Sequence, residues 1–163
     1  GRREVLGEEF APAQLDGLPA VPGRHAQPVE ACGVEGLGED LGLVFQVKDD
    51  ELGLFGDARR LGKPVGSDVR QGKKTLYHSA LMARASGADR AALLAVFGRP
   101  DASDEGVLRV REMAERLGVR VDVARVMERL AGRAGRAIRK LPVATKPRAV
   151  LESLLEYSLS RRK

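Results

Sequence analysis

Asp49 and Asp50 stand side by side at the end of a largely apolar stretch, and Gln46, Asp49, Asp50 and Gly53 fall at i, i+3, i+4 and i+7. On a helix those four positions share one face. Adjacent carboxylates on an otherwise apolar helix are costly unless water, a cation or a metal compensates them. Two readings follow. One is a solvated acidic stripe; the other is a pair of hard oxygen donors for Mg²⁺, with water and substrate phosphate completing the octahedron. Behind the carboxylates, Gly56-Asp57 is followed by Gly62-Lys63, Gly66, Asp68 and Gly72-Lys73. Glycines permit tight turns, and lysines are point charges for phosphate. On its own this segment is a flexible basic loop. Directly after paired carboxylates it is an arrangement for a metal and a diphosphate.

A helix has to carry the carboxylates. Leu37, Leu41, Val44, Phe45 and Leu52 recur at helical spacing, with Glu39 and Asp40 in the first turn. This predicts a helix from Leu37 that ends near Gly53–Gly56. Residues Asp57–Lys73 read as loop. Helices are then expected over Lys74–Ala85 and Asp89–Phe97, the latter stopped by Gly98 and Pro100. Ser103 is placed to cap a fourth helix, with Val107, Val110, Ala114 and Leu117 on one face and Gly118 as its C′ residue. A fifth is expected over Val121–Leu141 with Val123, Val126, Leu130, Ala134 and Ala137 inward, ended by Pro142. Thr145 is expected to cap a last helix through Leu159, with Pro147 in its first turn. Leu81, Met82, Leu93, Leu94, Val96 and Phe97 are expected in the core. No strand-like alternation occurs, so the fold class is all-α.

Composition narrows the field. The chain has 163 residues, 43% of them hydrophobic, which suits a folded domain and not a disordered chain. Its single cysteine, Cys32, excludes an internal disulfide framework, and two histidines with one cysteine make a zinc site of the usual type untenable. No apolar run reaches a membrane span and no signal peptide opens the chain, which leads to the expectation of a cytoplasmic protein. The net charge of +5 is unevenly spread: residues 1–58 carry −8, residues 59–108 carry +4 and residues 109–163 carry +9. Such a gradient fits either a dipolar nucleic-acid binder or a site with carboxylates on one wall and cations on the other.

The run Phe45-Gln46-Val47-Lys48-Asp49-Asp50-Glu51-Leu52-Gly53, then Gly56-Asp57, Gly62-Lys63, Gly66, Asp68, Gly72-Lys73 and Thr75-Leu76, resembles the second aspartate-rich region of trans-polyprenyl diphosphate synthases. That family includes farnesyl and geranylgeranyl diphosphate synthases. The resemblance extends over Leu37–Lys163. It implies the C-terminal part of the isoprenoid synthase helical bundle and a Mg²⁺-dependent prenyltransferase of isoprenoid biosynthesis. Such enzymes condense an allylic diphosphate with isopentenyl diphosphate. Carried over by residue, Asp49 and Asp50 would bind Mg²⁺, and Lys63 would meet the allylic diphosphate. Gln46 and Phe45 would line the reaction site, Lys73 would support the phosphate end, and Arg161, Arg162 and Lys163 would close over diphosphate. A homodimer is implied for the full-length form.

The departures are equally informative. The family's motif has Asp where this chain has Gly53, a change some members share. The first aspartate-rich motif and the upstream residues for isopentenyl diphosphate are absent, and a complete member has roughly twice this length. The chain opens on Gly1, and residues 1–36 are rich in glycine and proline, with Pro12, Pro19, Pro22 and Pro28. We therefore expect residues 1–36 to be an irregular segment read in a shifted frame and residues 37–163 to be part of a synthase domain that has little or no activity alone. The DNA upstream of the Gly1 codon would decide the first point. A non-catalytic partner subunit of a heteromeric synthase is the alternative. A basic helical nucleic-acid binder is a weaker one, because the cationic stripe Arg125, Arg129, Arg133, Arg136 and Lys140 has few aromatics beside it and reads as a solvated face. A terpene cyclase is set aside because Leu52–Gly56 lacks the Asn/Asp, Ser and Glu of its second metal motif. His25 and His78 are isolated, with His78 expected to pack or face solvent, and Cys32 is expected to be inert.

Overall fold

Helices form wherever the apolar spacing is sustained. A computed structural model of the chain describes residues 34–56 and 65–162. It contains α1 (Val34–Phe55), α2 (Ser67–Arg70), α3 (Leu76–Arg84), α4 (Gly87–Val96), α5 (Asp104–Arg116), α6 (Val119–Lys140) and α7 (Thr145–Ser160). No strand occurs among the described residues, so the chain is all-α as its periodicity dictates. No helix among them is long and apolar enough to cross a membrane. The irregular segment expected before α1, with His25 and Cys32, lies outside the described residues except for its last three positions. So do Asp57, Gly62, Lys63 and Lys163.

The central element is α6, which packs against α1, α3, α5 and α7. Its inward stripe is the one the sequence predicts: Val123, Val126, Leu130, Ala134 and Ala137 are all buried. The main core joins Val44, Val47 and Leu54 of α1 to Leu81 of α3, Leu93 of α4, Val110 and Met113 of α5, and Val123, Val126 and Leu130 of α6. A second cluster closes Leu37 against Ala134, Ala137 and Ile138. Leu81 and Leu93 are fully buried, and each such leucine stabilises the fold by about 1.5–3 kcal/mol.

Local chemistry sets the helix starts. Thr75 accepts a hydrogen bond from the His78 backbone N–H at 3.1 Å, and Ser103 accepts one from the Gly106 N–H at 3.1 Å. Gly118 takes φ 70°, ending α5 and opening α6 in the left-handed conformation expected of a C′ glycine. His78 packs edge-on against Phe97 with ring centroids 4.7 Å apart. Burial, followed by the nearby Lys74 charge, holds its imidazole below the usual histidine range.

Five expectations need correction. First, α1 already includes residues 34–36, ahead of the expected start at Leu37. Second, Asp57–Lys73 is not all loop, since Ser67–Arg70 forms a single turn with Val69 buried. Third, Thr145 is helical and caps nothing; Ala144 is the N-cap residue. The chain entering α7 is held instead by the Arg148 guanidinium, which donates to the carbonyls of Leu141 (3.0 Å) and Val143 (3.2 Å). Fourth, Leu94 is exposed, at 55%, because α4 buries only the stripe facing its neighbours. Fifth, Arg133 is not simply a solvated member of the cationic stripe. Its guanidinium makes a two-pronged ion pair with Asp40, which is itself 2% exposed.

Candidate functional site

The turn from Gly66 to Thr75 brings a lysine back onto the carboxylate face of α1. Gly66 N–H donates to the Gly53 carbonyl at 2.9 Å, which ties the returning chain to the helix. Arg70 then fastens α2 on its other side, donating to the carbonyls of Ala102 (2.8 Å) and Val65 (2.9 Å) and pairing with Asp104 at 2.5 Å. Gly98 N–H donates to the Val69 carbonyl at 2.9 Å, and a Cβ on Gly72 would come within 3.0 Å of Gly98 Cα. Close backbone approach therefore explains one motif glycine without reference to phosphate. The Thr75 cap fixes the chain two residues beyond Lys73.

Lys73 Nζ lies 2.8 Å from Asp50 Oδ1 and 3.3 Å from Asp68 Oδ2. Gln46 Nε2 donates to the same Asp50 oxygen at 2.9 Å. Asp50 is 6% exposed, and that burial pushes its carboxyl above the usual range even though Lys73 and Gln46 oppose the shift. Burial alone would lower the Lys73 ammonium. Its bonds and charge contacts with Asp50 and Asp68 outweigh that effect and hold it above its ordinary value. The lysine is thus kept charged and fixed in place.

Gly53 belongs to this arrangement. A Cβ there would lie 3.0 Å from Asp68 Oδ2. The space a side chain at position 53 would take is filled by the Asp68 carboxylate. The motif spacing alone assigns Asp68 no role. The available signal was its place two residues after Gly66, on a turn that must fold back to deliver Lys73.

Asp49 diverges from its neighbour. It is exposed, and its Oδ1 accepts from Arg161 Nη2 at 3.2 Å. The same nitrogen donates to the Phe45 carbonyl at 3.0 Å, and the guanidinium lies 3.8 Å over the Phe45 ring. Gln46, Asp50 and Lys73 are therefore brought together, while Phe45, Asp49 and Arg161 form an adjoining cluster. Arg162 is exposed. Lys63 and Lys163 lie outside the described residues. Carboxylate oxygens suit Mg²⁺, which keeps several waters and takes phosphate oxygens, and the donors of Asp49 and Asp50 fit it. Among the described residues no group of three or more His, Cys, Asp or Glu forms a complete metal cage.

A cavity of about 310 Å³ lies on the neighbouring flank of α1, lined by residues of α1, Arg120 and the chain leaving α7. Sequence reasoning did not anticipate it, because Arg120 reaches Phe55 only through the packing of α6 on α1.

The chain is similar to several known proteins. The sequence profile of the family described as Polyprenyl synthetase matches residues 22–114. Geranylgeranyl diphosphate synthase of Saccharolobus solfataricus is 33% identical over 129 residues, covering 77% of this chain and 38% of that protein. A short chain isoprenyl diphosphate synthase of Methanothermobacter thermautotrophicus is 41% identical over 91 residues, covering 56% of this chain and 27% of that one. Among solved structures, geranylgeranyl pyrophosphate synthase from Corynebacterium glutamicum, complexed with isoprenyl diphosphate and magnesium, is 29% identical. It superimposes with a TM-score of 0.74 over 83% of this chain and 39% of its own. The chain thus spans well under half the length of the proteins it resembles.

Proposed function

The chain belongs to the polyprenyl synthetase family, and from that premise we propose that it carries the second carboxylate motif and the diphosphate-binding lysines of a prenyl transfer reaction. In that reaction the bond from the allylic carbon to its diphosphate oxygen breaks, and the electron pair leaves with the diphosphate. The double bond of isopentenyl diphosphate forms the new carbon–carbon bond, and a proton is lost from the product. Asp49 and Asp50 would hold Mg²⁺, which when bound supplies positive charge to the diphosphate leaving group.

The chain's own residues set up the rest. Lys73 presents a charge that Asp50 and Asp68 hold in position. Lys63 meets the allylic diphosphate. Gln46 orients the Asp50 carboxylate through its amide. Phe45 and Gln46 line the reaction site and limit water there, while Arg161, Arg162 and Lys163 close over diphosphate. The observation that carries the reading is the Gln46–Asp50–Lys73–Asp68 cluster, built from the motif of this family.

Calorimetric titration with inorganic pyrophosphate, with and without Mg²⁺, tests it. The parent chain should show a Mg²⁺-dependent component of binding, and Asp50→Asn should weaken that component at least tenfold. A parent chain without such a component sinks the reading. Unfolding should not be the cause of the loss. With its folded pKa raised, the Asp50 carboxyl adds stability below its ordinary value near 3.8, and that contribution disappears as pH rises through the folded value. At neutral pH the charge is a net cost, so Asp50→Asn should leave Tm unchanged or raised. The isolated chain should show little turnover with an allylic diphosphate and isopentenyl diphosphate, since the first carboxylate motif is absent from it. Robust turnover would contradict that expectation.

A further inference from the structure

Two helices expose apolar stripes on the same side of the molecule. On α7, Val150, Leu154 and Tyr157 fall at i, i+4 and i+7 and are 67%, 47% and 57% exposed. On α1, Val34, Gly38, Gly42 and Phe45 fall at i, i+4, i+8 and i+11 and are all exposed. A Cβ on Gly38 or Gly42 would meet nothing within 4 Å. The two helices run side by side and parallel. Leu37 and Leu41 of α1 pack in one cluster with Leu151 and Leu155 of α7, and further along Asp49 meets Arg161. Arg161 continues the α7 stripe and lies over the Phe45 ring, so the stripes converge there. They also stay in register. Arg161 is 112 positions after Asp49, and the same offset relates Tyr157 to Phe45, Leu154 to Gly42 and Val150 to Gly38. A contiguous apolar face of this kind marks a contact surface.

The face complements itself. Its α7 half projects, and its α1 half is hollow where the glycines stand. A two-fold axis parallel to the helices turns α7 of a second copy onto α1 of the first. Because the offset is constant, Val150, Leu154 and Tyr157 of the second copy come level with Gly38, Gly42 and Phe45 of the first. Branched side chains then enter the space over the glycines. Charge agrees with this placement, since Arg161 and Arg162 of one copy come level with the exposed Asp49 of the other. The other two-fold, which lays α7 on α7, opposes bulky residues and leaves the hollow unfilled.

We infer that the chain associates with a second copy of itself through this face, α7 of each lying on α1 of the other. The inference goes beyond the prenyl transfer reading and stands or falls separately from it. In the dimer the Phe45 side of the proposed reaction site is covered, so the copies must part before a substrate or another polypeptide takes that place.

Sedimentation velocity of the full chain over a range of concentrations tests this, and a reversible monomer–dimer equilibrium is expected. Leu154→Glu, at an exposed position, should weaken it about tenfold or more. Gly42→Leu should do the same with Tm unchanged or raised, because leucine is the better helix former and a side chain there meets nothing within the chain. Val121→Glu, at an exposed apolar position on α6 away from the face, should leave the equilibrium unchanged. In a Cys32→Ser background, Gly42→Cys chains mixed with Leu154→Cys chains should form the mixed disulfide in preference to either like pair, since bridging requires close approach of the two positions. A chain that stays monomeric at about 100 μM would leave the face to a different polypeptide and overturn the inference. Undiminished association in folded Leu154→Glu and Gly42→Leu chains, loss of association in Val121→Glu, or like-pair disulfides forming as readily as the mixed one would each overturn it too.

Discussion

Replacing Arg133 with Ala is expected to destabilise the chain by about 3 kcal/mol, measured as the loss of unfolding free energy in urea at neutral pH. Asp40 is 2% exposed, and its carboxylate is held by Arg133 Nε at 3.2 Å and by Nη2. Removing one partner of a buried pair leaves a charge without compensation, which typically costs about 3–5 kcal/mol. The lower end is expected because the Arg133 side chain is partly exposed and water can enter where it was. Against a usual total of about 5–15 kcal/mol, the loss is a large share of the fold's stability. The double variant Asp40→Leu/Arg133→Met should recover most of it, because an apolar pair can replace a buried ion pair at little or no cost. A loss under about 1 kcal/mol in Arg133→Ala would mean that water already solvates Asp40, and would refute the account.

Gly66→Ala should be of comparable size, about 2–5 kcal/mol, for two separable reasons. Gly66 has φ 83°, and a side chain in that left-handed region costs about 1–2 kcal/mol. Its Cβ would also lie 2.4 and 2.7 Å from the two methyl carbons of buried Val107, and such overpacking costs about 1–3 kcal/mol. Adding Val107→Ala should relieve the second term and leave the first. The double variant is then less destabilised than the sum of the singles. Simple additivity would show that Val107 is not the obstacle. Because Gly66 N–H is bonded to Gly53 and Asp68 follows two residues later, Gly66→Ala should also displace Asp68 from Lys73 and weaken Mg²⁺-dependent pyrophosphate binding.

Helix existence was legible because the apolar stripes are long and regular. The stripe of α6 from Val123 to Ala137 is buried as its spacing requires. Capping at Thr75 and Ser103 follows from local chemistry, so those helix starts were close to what the residues imply. Thr145 shows the limit of such rules. Its favourable capping side chain lies one position inside the helix, and Ala144, which has no side-chain acceptor, occupies the N-cap position.

The candidate site divides along the same line. The sequence by itself determined the all-helical class, the carboxylate–glycine–lysine spacing, and through it the family, because periodicity and spacing are properties of neighbouring residues. The tertiary structure decided which charges meet. It set Asp68 beside Gly53 and Lys73, turned Asp49 away from Asp50 toward Arg161, paired Asp40 with Arg133 and placed Arg120 on Phe55. Coulomb and hydrogen-bond energies depend on distances of a few ångströms. Those distances exist only once α6 has packed on α1 and the Gly66–Thr75 turn has closed.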